Sequence, residues 1–225
     1  MSSTKESGAR KARKDSAITG LMAKWYNKNS RARLSDFSKI ADVIDAQIRP
    51  GSKILEVAPG PGYMSIELSK RGYDVTAVEL SADFVEIGKK NASDAGVVVD
   101  FQQGNASALP LPDETFDFLI CMAAFKNFSE PQTALDEMYR VLKPEGVVFL
   151  IDMNRETTEE DIEEAMSEYP EVKGLDRWFM KFSFTTFLKK RAYNRQEFEE
   201  FISRTAFQKH EITKKGLGFH IWLYK

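Results

Sequence analysis

Lys53-Ile54-Leu55-Glu56-Val57-Ala58-Pro59-Gly60-Pro61-Gly62-Tyr63-Met64-Ser65-Ile66-Glu67-Leu68 decides how the rest of this 225-residue chain is read. Ile54 to Val57 is a short run, apolar except for Glu56, and reads as a buried strand. Ala58 to Gly62 is a tight glycine-rich turn, and Tyr63 to Arg71 follows as a helix. Strand, turn and helix in this order form the first half of a nucleotide-binding βαβ unit. Gly60 and Gly62 lack a Cβ, so the turn can adopt unusual φ and a ligand can approach its backbone.

The three glycine positions of a dinucleotide fingerprint fall here on Ala58, Gly60 and Tyr63. A tyrosine at the third position obstructs the close helix–strand packing that such sites use. Glu56, just before the turn, is awkward beside a pyrophosphate and suits a ligand carrying an ammonium or a sulfonium. The stretch resembles motif I of the class I S-adenosylmethionine-dependent methyltransferases, an acid followed by G-x-G-x-G, with Ala58 at the first glycine. Taken alone, it also fits a tight βα turn that binds nothing.

The resemblance continues downstream. Asp74 to Leu80 reads as a second strand ending on Glu79, 23 residues after Glu56. That is close to the spacing of about 20 expected of an acid that accepts from a ribose hydroxyl. Ser81 is placed to cap a helix over Ala82 to Ala95. Val97 to Gln102 reads as a third strand, followed by Gly104-Asn105-Ala106 where the family carries G-D-A. Phe116 to Ala123 is nearly all apolar, as a strand buried on both faces must be. A helix over Gln132 to Leu142 then leads through Lys143-Pro144-Glu145-Gly146 to a fifth strand, Val147 to Asp152. Arg140-Val141-Leu142-Lys143-Pro144-Glu145-Gly146 resembles the family's R-V-L-K-P-G-G, with Glu145 at the first glycine. Together these matches run from residue 53 to residue 152.

The resemblance implies an α/β, Rossmann-like, seven-stranded and mostly parallel sheet with helices on both faces and an antiparallel last strand. The expected organisation is a disordered tail over residues 1–16 and one methyltransferase domain over 17–225. Within the domain, 17–50 is a helical cap and 153–192 an insertion after the fifth strand that serves as a substrate lid. The lid is aromatic-rich, with Leu175, Trp178, Phe179, Phe182, Phe184 and Phe187. Thr158 with Asp161, and Asn194, are placed as caps of the helices that follow them. Two last strands, Phe207 to Thr213 and Leu217 to Tyr224, are expected to close the sheet as its antiparallel members.

The implied cofactor is S-adenosyl-L-methionine. By the resemblance, Glu79 holds the ribose, Asn105 and Ala106 the adenine, and Leu80 packs on the adenine face. The Ala58 to Gly62 backbone flanks the methionine portion and Glu56 assists its ammonium. Met122 and Ala123 also fall at the strand-end cleft. Tyr26 is the candidate aromatic that closes over the cofactor, although Trp25 and Tyr26 are equally readable as residues packed on the sheet. Many relatives carry histidine after the fourth strand, where this chain has Phe125-Lys126-Asn127-Phe128, so no catalytic residue is assigned. Lys126 and Asn127 either orient a substrate or are ordinary loop residues, and Tyr193 is a weaker substrate candidate. His210 and His220 read as structural, and Cys121 as packing. The implied reaction is in-line methyl transfer to a small-molecule nucleophile, driven by proximity and exclusion of water. The alternative is a binding module for the same cofactor with lost or altered chemistry.

Composition narrows the partners. A formal net charge of −2 argues against a dedicated nucleic-acid binder. One cysteine leaves no internal disulfide and no multi-cysteine metal site, and fits a reducing cytoplasm. No apolar run approaches the length of a membrane span and no signal-peptide core is present, so neither a membrane nor a metal is an expected partner.

Overall fold

A computed structural model of the chain describes residues 17–31, 33–167, 174, 181–182, 185 and 188–225. The expected tail, and all of the aromatic lid residues except Phe182, lie outside the described residues. Two helices, α1 (Gly20–Arg31) and α2 (Leu34–Asp45), precede β1 (Lys53–Val57) and α3 (Tyr63–Lys70). Then come β2 (Asp74–Glu79), α4 (Ala82–Asp94), β3 (Asp100–Gln103) and β4 (Phe116–Met122). The chain continues through α5 (Pro131–Val141), β5 (Leu142–Met153), α6 (Glu159–Ser167) and α7 (Arg195–Ser203). It closes with β6 (Lys209–Lys215) and β7 (Gly218–Tyr224).

The strands form one seven-stranded sheet in the order β3-β2-β1-β4-β5-β7-β6. The order reverses between β1 and β4, which leaves a crevice at their carboxyl ends, the position where open α/β sheets bind ligands. β1 to β5 pair in parallel. β7 runs antiparallel to both β5 and β6. The seventh strand alone therefore opposes the rest, as the expected antiparallel last strand, and β6 and β7 close the sheet as an antiparallel pair.

Parallel strands covered by helices on both sides bury alternate residues into two different cores. Leu55 and Val57 of β1 face one core, shared with Leu135 and Met138 of α5 and with Phe198 and Ile202 of α7. Ile54 faces the other, with Ala41 and Ile44 of α2 and Met64 and Leu68 of α3. Arg71, just past α3, binds Asp42 and Asp45 of α2 and Glu67 of α3, and so locks the two helices together.

Two strand boundaries differ from their sequence-based expectation. Val97 to Val99 does not join the sheet, and Val98 is 87% exposed. β-branched residues favour strands only where a neighbour pairs and covers them, and β2 offers partners only from Asp100 onward. β5 instead begins early, at Leu142. Phe116 pairs Leu142 whereas Phe118 pairs Val147, so Lys143 to Gly146 bulge out of the ladder. Glu145 takes a left-handed φ of 64° in that bulge, the conformation that the family's glycine adopts without strain.

The local caps form as expected. Thr158 and Asp161 exchange hydrogen bonds at the start of α6. Asn194 and Glu197 make a full capping box on α7.

Candidate active site

The cleft at the carboxyl ends of β1, β2 and β3 is lined by Val57, Ala58, Val78, Leu80, Gly104, Asn105, Ala106 and Phe128. Its turns are pinned to neighbouring strands. The Ala58 amide donates to the Val78 carbonyl at 2.8 Å, and the Gly104 amide donates to the Glu79 carbonyl at 2.9 Å. Ala58, Gly60 and Gly62 all take left-handed φ, at 58°, 57° and 80°. Such backbone strain in a non-glycine residue clusters at binding sites, and Ala58 is one instance.

Glu79 ties two of the turns together. One carboxylate oxygen accepts from the Gly60 amide at 3.0 Å and the other from the Ser81 amide at 2.9 Å. The side chain is buried, and burial raises its pKa above the ordinary carboxylate value against the opposing pull of those amides. The Leu80 amide is a third backbone donor to this carboxylate, and of its roughly four acceptor positions one remains for a hydroxyl donor.

Glu56 projects to the opposite face of β1, beneath α3. Its carboxylate accepts from the Ser65 hydroxyl and from the Ser65 amide in the first turn of that helix. Gly62, at the helix N-cap, has no side chain to offer, so an acid from the preceding strand satisfies this helix start. Burial raises the Glu56 pKa to about 7, outweighing both bonds from Ser65, with the Glu79 charge adding to the rise. Among the described residues neither carboxylate forms an ion pair.

The two glycines play different parts. A Cβ at Gly60 meets only Tyr26 Cε1, at 3.8 Å, so the turn is open to a ligand there. A Cβ at Gly62 falls 2.4 Å from Phe101 Cζ, so Gly62 serves close packing between α3, β3 and α4. Tyr63 then does not obstruct that packing. It lies beside Phe37 and donates its hydroxyl to the Asn27 side chain at 2.9 Å.

Tyr26 reaches the same turn from α1, edge-on to Phe84 with ring centroids 5.7 Å apart. Trp25, the preceding residue, is half exposed. Asn105 accepts through its side-chain oxygen from the Ser107 amide at 3.0 Å, which orients the amide group. Met122 is half-buried and Ala123 exposed, with φ 54° at the end of β4.

The substrate candidates are not brought together. Lys126 turns inward, and its ammonium lies 2.9 Å from Asp152 with 4% of the side chain exposed. It also donates to the Ala123 carbonyl, and its own amide donates to Asp152 at 2.8 Å. This geometry ties the loop after β4 to the end of β5. Tyr193 is buried among Phe125, Phe198 and Phe201. Asn127 is exposed and accepts from Arg191 at 3.4 Å. His220 stands edge-on to Phe149, and burial lowers its pKa to about 4. Phe128 and the β-strand residues Val57 and Val78 line the cleft without having been singled out in the sequence. The position of Phe128 just beyond the fourth strand was the available signal.

The residues present suit a cationic adenosyl ligand on three observations. Glu79, buried and without an ion pair among the described residues, stands at the end of β2, the adjoining cleft wall is apolar, and the backbone at Gly60 is open. Among the described residues no cluster of three or more potential metal ligands occurs.

Comparison with known proteins gives a consistent result. A family profile described as "Methyltransferase domain" matches residues 55–150. Demethylmenaquinone methyltransferase of Renibacterium salmoninarum is 36% identical over 108 residues, 48% of this chain and 44% of that protein. The ubiquinone/menaquinone biosynthesis C-methyltransferase UbiE of Xanthomonas oryzae pv. oryzae is 34% identical over 122 residues, 52% of this chain and 48% of that protein. The chain thus spans about half the length of the curated relatives it matches. A crystal structure from Methanococcus maripaludis, assigned only provisionally as an S-adenosyl-L-methionine-dependent methyltransferase, superimposes with a TM-score of 0.73 at 22% identity. The match covers 99% of this chain and 97% of that one, and at this identity the likeness is one of fold.

Proposed function

We propose that this chain, which belongs to the class I S-adenosylmethionine-dependent methyltransferases through residues 55–150, transfers a methyl group to a small-molecule nucleophile. One observation carries the reading. Turns distant in sequence, after β1, β2 and β3, meet at a single apolar cleft where Glu79 bridges the Gly60 and Ser81 amides. The cofactor, when bound, supplies an electrophilic sulfonium methyl group open to in-line displacement.

The chain's own residues bind and align. Glu79 offers its remaining acceptor position to a ribose hydroxyl. Leu80, Ala106 and Phe128 supply apolar walls, and Asn105 presents a fixed acceptor beside them. Burial holds Glu79 towards its neutral form, and a cation bound beside it would favour its ionisation. Tyr26 borders the Gly60 turn, where its ring would flank a bound cofactor. Alignment and exclusion of water are sufficient sources of rate for an intrinsically reactive methyl donor.

The assay is saturable binding of S-adenosylhomocysteine by calorimetry, followed by transfer of a labelled methyl group to extracted small molecules. Demethylated quinones, named for the relatives above, are the first defined acceptors to offer. Binding with a labelled small-molecule product is expected. No binding overturns the cofactor assignment. Binding with no product from any acceptor pool overturns the transfer reaction in favour of a binding module.

A further inference from the structure

Pro61, between the two glycines of the turn after β1, is buried, and so is Gly62. A buried carbonyl in such a turn needs a donor. The Pro61 carbonyl accepts from the Asn91 side chain of α4 at 2.9 Å, across 30 positions of the chain. The same Asn91 amide nitrogen donates to the Asn27 side-chain oxygen of α1 at 3.0 Å, so both of its protons are engaged. Asn27 also accepts from the hydroxyl of Tyr63, the first residue of α3, at 2.9 Å. One oxygen of Asn27 thus joins α1, α3 and α4, and Asn91 carries the contact on to the Gly60 turn.

The turn is gripped from two directions. Glu79 holds it at the Gly60 amide, 3.0 Å away, and Asn91 holds it at the Pro61 carbonyl. Gly60 and Gly62 take left-handed φ of 57° and 80°, and those angles set where the Gly60 backbone faces. Freeing the Pro61 carbonyl lets the peptide between them rotate, because glycine on either side resists rotation least. In these bonds Asn27 serves only as acceptor and Asn91 only as donor. α1 does not depend on Asn27 for its attachment. Ala23 is fully buried, the Gly20 amide donates to Asp83, and the Ser81 hydroxyl donates to the Ile18 carbonyl. A change at Asn27 therefore acts on the relay to Pro61 while the helix stays docked.

We propose that Asn27 is a positioning residue for the adenosyl cofactor. It touches no ligand. By fixing the Asn91 amide it aims that donor at the Pro61 carbonyl, and so keeps the Gly60 backbone in the geometry that leaves it open. The proposal rests on the cofactor reading above and goes beyond it, because a helix outside the matched residues 55–150 then sets cofactor affinity. Linkage makes the effect reciprocal: a cofactor that fixes the turn tightens α1 on α4 by the same factor.

The test is calorimetric titration of the full chain with S-adenosylhomocysteine, using substitutions of equal shape and opposite expected outcome. Asn27→Asp keeps the accepting oxygen and is expected to bind within about twofold of wild type. Asn91→Asp has no donor, turns a carboxylate on two acceptors, and is expected to weaken binding at least about tenfold. Asn27→Ala is expected to weaken binding at least about fivefold on its own. In the Asn91→Ala background it is expected to add less than about twofold, since both changes break one relay. A merely structural role would instead lower the thermal midpoint of the ligand-free protein and give an effect independent of Asn91. Wild type that does not bind overturns the cofactor reading and the proposal together. Three results overturn the proposal and leave the cofactor reading standing: Asn27→Ala binding as well as wild type, Asn27→Asp binding as weakly as Asn27→Ala, or an Asn27→Ala loss undiminished in the Asn91→Ala background.

Discussion

Glu56→Gln tests the electrostatics of the site without relying on any ligand. Glu56 is buried, 3% exposed, and its pKa stands at about 7 instead of 4.5. That rise corresponds to about 3 kcal/mol of differential interaction between the two protonation states. The folded-state pKa is raised, so the folded protein holds this proton more tightly than the unfolded chain does. Below about pH 4.5 both states are protonated and ionisation costs nothing. Between about pH 4.5 and about pH 7 the unfolded state loses the proton first, and stability falls as pH rises. Above about pH 7 the full cost of about 3 kcal/mol remains. Glutamine keeps the shape, accepts from Ser65 through its amide oxygen and carries no charge. It also removes the repulsion on Glu79. Urea unfolding of ligand-free wild type and variant, at steps from about pH 4 to about pH 8, gives the difference directly. The variant is expected to match wild type at the acid end and to exceed it by about 3 kcal/mol at the alkaline end. A difference independent of pH, or a wild type that is the more stable at about pH 8, refutes the reasoning, since Glu56 would then hold its charge without strain.

Two further outcomes follow from the packing. Lys126→Met leaves Asp152 charged and buried, and is expected to cost about 3 to 5 kcal/mol in thermal or urea unfolding. Lys126→Met with Asp152→Asn removes both charges while keeping an acceptor for the backbone amides that Asp152 serves, and is expected to recover most of that loss, and a double variant as unstable as the single one contradicts the pairing. Gly62→Ala introduces a Cβ 2.4 Å from Phe101 at a φ of 80°, and is expected to destabilise by at least about 2 kcal/mol in the same measurement. Gly60→Ala, where the Cβ finds room, is expected to lose less stability while weakening S-adenosylhomocysteine binding more.

The sequence by itself determined the succession of strands and helices from Lys53 to Met153, the strand-end position of Glu79, and the capping pairs at Thr158 and Asn194. These features are local: a period of alternating burial, a glycine-rich turn, or a side chain bonding a backbone three residues away. It also marked Tyr26 as an aromatic of interest, but left open whether the ring met the sheet or the Gly60 turn. Tertiary structure decided that point by placing α1 against α4, with Ser81 and Asp83 holding its start. The same is true of Lys126, whose partner Asp152 lies 26 residues away on the neighbouring strand. Nothing in Phe125-Lys126-Asn127-Phe128 distinguishes an inward lysine from an outward one. Gly62 looked like a ligand-approach glycine until Phe101 and Gly88 were packed against it. Val97 to Val99 looked like a strand until β2 offered no partner. Periodicity reports which side of an element is apolar. The identity of the group on the other side depends on how separate elements dock, and docking is set by the summed burial of the whole sheet and its helices.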